Sequence, residues 1–131
     1  MNPIKVLLVD DEVEFVSALA ERLQLRNYDA KAVYCAEDAF ALIKSDPPDV
    51  VLVDLRMPGM GGLEIRDTIR QFDPGIEVIL LTGHGAVDEH GAGMKEVPFE
   101  YLLKPVDLND LMEKIGSAAE RRRTNAPDRR R

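Results

Sequence analysis

Val50-Val51-Leu52-Val53-Asp54-Leu55-Arg56-Met57-Pro58-Gly59-Met60-Gly61-Gly62 is the stretch that decides the fold. Its first four residues are an unbroken Val/Leu run. That is strand length, and the lack of alternation suits a strand buried on both faces. The run stops at the carboxylate of Asp54. A loop dense in Pro and Gly follows, where the chain must turn. Over Leu63–Phe72 apolar and charged residues then recur at helical spacing. A buried strand, an acidic strand end, a turn and a helix form the repeating unit of a parallel sheet covered on both faces.

The same unit recurs on either side. Ile4–Val9 is an apolar strand ending at Asp10-Asp11, and Val13, Val16, Leu19, Ala20 and Leu23 then fall on one helical face. Asp29–Val33 is a short second strand. Glu37–Lys44 is a helix closed before Pro47-Pro48, whose rings cannot continue it. Beyond the turn Asp73-Pro74-Gly75, Ile76–Leu81 is a fourth strand ending at Thr82-Gly83, and Glu100–Leu103 is a fifth, ending at Lys104-Pro105. Asp107 is a suitable N-cap for a last helix with Leu108, Leu111, Met112, Ile115 and Ala119 on one side. Residues 86–95 should hold the remaining helix. They contain Gly91 and Gly93, each costing about 1 kcal/mol relative to alanine, so a short or frayed helix is expected there. Right-handed crossovers give an α/β, doubly wound fold.

The 131 residues fit one domain. Cys35 is the only cysteine, which excludes an internal disulfide and argues against a thiolate zinc site. No apolar run has the length of a membrane span, and the N-terminus lacks the layout of a signal peptide. A soluble cytoplasmic protein is expected. Charge is uneven. Of 17 basic residues, six lie in 121–131 beside one acid, Asp128, so residues 1–120 hold 11 basic and 23 acidic side chains, a net of −12. Such a domain does not bind nucleic acid through its own surface. The basic tail, 121–131, reads as a disordered end or the start of a linker.

The chemistry gathers at strand ends. Asp10, Asp11, Asp54, Thr82 and Lys104 each follow a strand, and in a parallel sheet those ends share one edge, where ligands bind. Singly, each has a plain structural reading: an acidic pair caps a helix, an aspartate makes a turn, a lysine is solvated. Together they are a phosphoryl site. Crowded carboxylates repel, and a divalent cation relieves the repulsion. Oxygen-only donors favour Mg²⁺ over zinc. Lys104 supplies a positive charge and Thr82 a hydroxyl donor. Phosphoryl transfer is mainly positioning and charge stabilisation, and a carboxylate can act as its nucleophile.

Four strings resemble the receiver domains of two-component response regulators: Val6-Leu7-Leu8-Val9-Asp10-Asp11-Glu12, Val53 to Gly62, Leu81-Thr82, and Tyr101-Leu102-Leu103-Lys104-Pro105. Each alone is common; all four in order at strand ends are specific. The resemblance covers about Ile4 to Ala119 and implies a flavodoxin-like (βα)5 fold with strand order 2-1-3-4-5. A receiver domain over 1–120 follows. The resemblance implies that Asp54 is the phosphoacceptor. It makes Asp11, Asp54 and the backbone carbonyl of Arg56 direct Mg²⁺ ligands, with Asp10 acting through water. Thr82 and Lys104 hold phosphoryl oxygens, Tyr101 is a switch aromatic coupled to Thr82, and Lys104-Pro105 is a cis peptide. Arg56 and His84, two positions beyond Asp54 and Thr82, are candidate modulators of hydrolysis. The implied donor is a phosphohistidine on a sensor histidine kinase or phosphotransfer protein. The output is an unidentified protein target or a homodimer. Such a domain catalyses its own phosphorylation and dephosphorylation, but it is primarily a switch.

Glu96-Val97-Pro98-Phe99 departs from the family's usual step before the last strand. Tyr101 alone also reads as a core or rim aromatic, Cys35 as a small helix-start or core residue, and His84 and His90 as non-metal. The stand-alone receiver has as its alternative the receiver portion of a longer transcriptional regulator. Two other classes share features. A flavodoxin-like FMN binder lacks its phosphate loop here, because Asp10-Asp11-Glu12 would repel phosphate. A haloacid-dehalogenase-type phosphatase wants a second acid two residues after its nucleophile at the first strand; Asp10 is followed two residues on by Glu12, but at the start of the helix, and Asp54 by Arg56.

Overall fold

The computed structural model describes residues 3–83 and 101–129. Five parallel strands form one sheet: β1 (Lys5–Val9), β2 (Asp29–Val33), β3 (Val50–Asp54), β4 (Glu77–Thr82) and β5 (Tyr101–Leu103). Their order is β2-β1-β3-β4-β5, as the resemblance implied. Four helices are described: α1 (Val13–Gln24), α2 (Ala36–Ser45), α3 (Gly62–Phe72) and α4 (Leu108–Arg129). The helix expected over 86–95, His84, His90 and the segment around Pro98 lie outside the described residues.

Successive strand residues point to opposite faces, so each strand feeds two cores. Val6, Leu8, Leu52, Ile79 and Leu81 pack with α1 and α4, against Val16, Leu23, Leu111 and Ile115. Leu7, Val9, Val51, Val53 and Leu80 pack with α2 and α3, against Ile43, Ile65 and Ile69. All five residues of β3 are buried, as expected of a central strand covered on both faces.

Most boundaries fall within a residue of those expected, and three differences are informative. Strand β4 begins at Glu77 because the Ile76 N–H closes the preceding turn on the Asp73 carbonyl. Helix α3 begins one residue early, at Gly62. The last helix does not stop near Ala119 but continues to Arg129. Arg121 and Arg122, which the sequence assigns to a loose tail, lie against the domain. Arg121 donates twice to Glu77 Oε1, at 2.9 and 2.7 Å. Arg122 pairs with Asp49 at 3.4 Å and Asp73 at 3.6 Å. A boundary at residue 120 therefore falls inside a continuous helix. Among the described residues no helix is long and apolar enough to cross a membrane.

Candidate functional site

The polar strand ends meet where β1 and β3 diverge toward helices on opposite faces. Asp10 follows β1 and is fully buried; its N–H donates to the Val33 carbonyl at 3.2 Å, which holds it at the end of the sheet. Its Oδ1 accepts the Glu12 N–H at 2.9 Å, so the side chain organises the start of α1. Asp54 is the last residue of β3 and is 7% exposed. Its Oδ1 accepts the Arg56 N–H at 3.2 Å.

Close packing of α3 supports this strand end. The Gly62 N–H donates to the Leu55 carbonyl at 2.9 Å. A Cβ on Gly62 would lie 2.7 Å from the Asp54 carbonyl oxygen and 2.8 Å from Leu55 Cα, so a side chain there would displace the backbone that carries Asp54. Gly59 serves differently: its φ of +83° is a turn conformation that side chains disfavour.

Lys104 comes from beyond β5, joined to Pro105 by a cis peptide bond. Its N–H donates to the Thr82 carbonyl at 2.9 Å, which fixes its backbone to β4. Its Nζ reaches Asp10 Oδ2 at 2.9 Å, Glu12 Oε1 at 2.7 Å and Asp54 Oδ2 at 3.5 Å. The ammonium also lies 4.8 Å from the centre of the Phe15 ring. Thr82 is buried, with its hydroxyl donating to the Gly83 carbonyl at 3.2 Å.

The electrostatics follow from this crowding. Burial, and then the charge of Asp10, push the Asp54 carboxyl up to about 6; Lys104 and the Arg56 N–H act in the other direction. For Lys104 burial works against the charged form, but the bonds to Glu12 and Asp10 outweigh it and raise the ammonium above the ordinary lysine range. Oxygens of Asp10, Glu12 and Asp54 all lie within 4.8 Å of one another. Three convergent carboxylates, one with its pKa raised by burial and by a neighbouring carboxylate, fit a hard divalent cation.

The fold thus brings Asp10, Asp54 and Lys104 into contact, and Thr82 to the neighbouring strand end. Asp11 is exposed and stands outside the cluster of three carboxylates; the Arg56 side chain is also exposed. Tyr101 is 7% exposed, within the core shared with α2 and α3. Glu12 and Phe15 were missed by the sequence reading. Their signal was only Glu12's place beside the acidic pair, with Phe15 one helical turn further on.

A family model for the response regulator receiver domain matches residues 6–116. The transcriptional regulatory protein GlrR of Escherichia coli is 32% identical over 119 residues, which are 91% of this chain and 27% of GlrR. The photosynthetic apparatus regulatory protein RegA of Rhodovulum sulfidophilum is 31% identical over 115 residues, 88% of this chain and 63% of RegA. The chain therefore spans about a quarter of the first relative's length and under two thirds of the second's. A response regulator receiver domain protein from Clostridium thermocellum superposes with a TM-score of 0.81 at 32% identity, covering 92% of this chain and 98% of that one.

Proposed function

The chain belongs to the response regulator receiver domain family of two-component signalling, and from that premise we propose that it accepts a phosphoryl group on Asp54. One observation carries the reading: two buried carboxylates, Asp10 at 2.9 Å and Asp54 at 3.5 Å, share the ammonium of Lys104 at the C-terminal edge of the sheet.

The donor is a phosphohistidine on a sensor histidine kinase or phosphotransfer protein. An Asp54 oxygen attacks phosphorus and a new O–P bond forms. The P–N bond to the donor breaks, and its electron pair stays on the imidazole nitrogen, which then takes a proton. Lys104 and Thr82 supply the cation and the donor that hold the phosphoryl oxygens. By the family resemblance Asp54, Asp11 and the Arg56 carbonyl would hold Mg²⁺, with Asp10 assisting through water; Asp11, exposed and outside the cluster of three carboxylates, would have to turn inward to join them. When bound, the ion would offset the carboxylate charge and that of the arriving phosphoryl group. Thr82 and Tyr101 would transmit the change to a protein target or a second copy, and Arg56 and His84 would tune hydrolysis. A cytoplasmic setting suits a lone cysteine and a kinase donor.

The test is intact-protein mass after incubation with acetyl phosphate and Mg²⁺. One added phosphoryl group, lost in Asp54→Ala and in chelator, supports both acceptor and metal. No adduct on a folded protein that also fails to bind beryllofluoride overturns the reading.

A second reading has its own support, since the relatives include transcriptional regulators several times longer than this chain. The domain would then be the receiver portion of such a regulator. A reading frame that stops at Arg131 would remove it.

A further inference from the structure

The tightest contact of Lys104 is with its most exposed partner. Its Nζ lies 2.7 Å from Glu12, whose side chain is 62% exposed, against 2.9 Å from Asp10 and 3.5 Å from Asp54, which are 0% and 10% exposed. Asp10 and Asp54 are fixed at strand ends. Glu12 is held only through its backbone, whose N–H bonds Asp10, and its carboxylate makes no capping bond to α1. It can swing into water at little cost, because exposed ion pairs are worth about 0.2–1 kcal/mol. Phe15, one turn on, lies beside the ammonium and confines it without competing as an acceptor.

We propose that Glu12 is a positioning residue for Lys104: a releasable counter-ion that holds the ammonium until a phosphoryl group on Asp54 takes it. The inference rests on the phosphoacceptor reading of Asp54 and adds to it a residue that sets the cost of recruiting Lys104. A phosphoryl group brings nearly two negative charges. Asp10 and Glu12 engage two of the ammonium's three donors and the third is left for Asp54, 3.5 Å away, so drawing the ammonium onto the phosphoryl oxygens stretches its contact with Asp10 or with Glu12. Asp10 is buried and cannot follow it into solvent, so Glu12 is the partner released.

Beryllofluoride, which imitates a phosphoryl group on the carboxylate, is titrated by fluorine NMR at saturating Mg²⁺ into the intact protein, Glu12→Gln and Glu14→Gln. Glutamine keeps the size of Glu12 and removes its charge. Glu14 is a neighbouring exposed acid with no described contact to Lys104. Glu12→Gln should tighten binding about two- to fivefold, the range set by an exposed pair, and Glu14→Gln should not. The ε-methylene resonance of Lys104 should move on Glu12→Gln in the free protein and coincide with wild type once beryllofluoride is bound. Equal affinities, equal tightening by Glu14→Gln, or a Lys104 resonance insensitive to Glu12 overturns the latch alone. No binding to any of the three folded proteins overturns the Asp54 reading and the latch with it.

Discussion

The ammonium of Lys104 lies 2.9 Å from the carboxylate of Asp10, a residue 94 positions earlier in the chain and wholly withdrawn from solvent. The contact closes the sheet edge between its first and last strands and leaves Asp54 on the same cation. Structure and chemistry therefore share one charge.

Replacing Lys104 with methionine leaves Asp10 buried with no described cation. Loss of one partner of a buried pair costs several kcal/mol when fully desolvated, and about 1–3 kcal/mol is expected at this partly open site. Urea unfolding in chelator at neutral pH measures it. Asp10→Asn added to Lys104→Met should restore most of the loss. Any change in the protein that phosphorylation drives should weaken strongly in Lys104→Met, and an undiminished response would contradict the role given to Lys104.

Asp54 gives a pH dependence of defined sign. Its folded-state value of about 6 lies above the ordinary 3.8. Between these values the folded state binds the proton more tightly, so stability falls as pH rises from about 4 through 6 and stays reduced above. Asp54→Asn removes the cost and should stabilise the metal-free protein by on the order of 1–3 kcal/mol at pH 7 to 8. The gain should fade on acidification and vanish below pH 4. Melting curves across pH in chelator test this. Mg²⁺ should narrow the gap by stabilising only the aspartate protein.

Gly62→Ala tests the close packing of α3 against the acceptor strand. Its Cβ would meet the Asp54 carbonyl at 2.7 Å, whereas a Cβ on Gly61 meets its nearest neighbour, the Leu55 carbonyl, at 3.6 Å. Gly62→Ala should cost about 1–3 kcal/mol in urea unfolding, as overpacking does, and should reduce the yield of phosphoryl adduct. Gly61→Ala should be much milder in both assays.

Arg122 tests how the last helix is held. Its side chain is 15% exposed and pairs with Asp49 and Asp73. Asp49 also accepts the Lys5 N–H at 3.0 Å, so Arg122 reaches the start of β1 through it. Arg122→Ala should destabilise the domain by about 1 kcal/mol. It should also speed amide exchange in residues 121–129 while the exchange of α1 changes little. Unaltered exchange in that segment would mean that its helix does not depend on this anchor.

Much of this molecule was legible in the amino-acid order because local rules suffice for it. The Val50–Val53 run, the turn after Asp54 and the helical spacing of Val16, Leu19 and Leu23 each follow from patterns a few residues long. The order β2-β1-β3-β4-β5 came from resemblance, since periodicity says that strands are buried without saying which are neighbours. Asp10, Asp54, Thr82 and Lys104 stood out because a polar residue after an apolar strand is visible in one dimension. Glu12 did not. Its role depends on a side-chain contact across 92 residues, and its place beside Asp10-Asp11 was the only local sign of it. The arginine tail misled for the same reason, because the carboxylates that hold it, Glu77, Asp49 and Asp73, come from remote turns and strand ends.

The sequence by itself therefore determined the class of fold, the residues at its functional edge and the chemistry they suit. Backbone hydrogen bonding and the alternation of side chains are short-range constraints, and they leave a periodic record. Tertiary structure alone decided which carboxylates share the Lys104 ammonium, how far burial lifts Asp54, and that the last helix continues to Arg129. Those depend on distances between groups far apart in the chain, and charge and desolvation act through space.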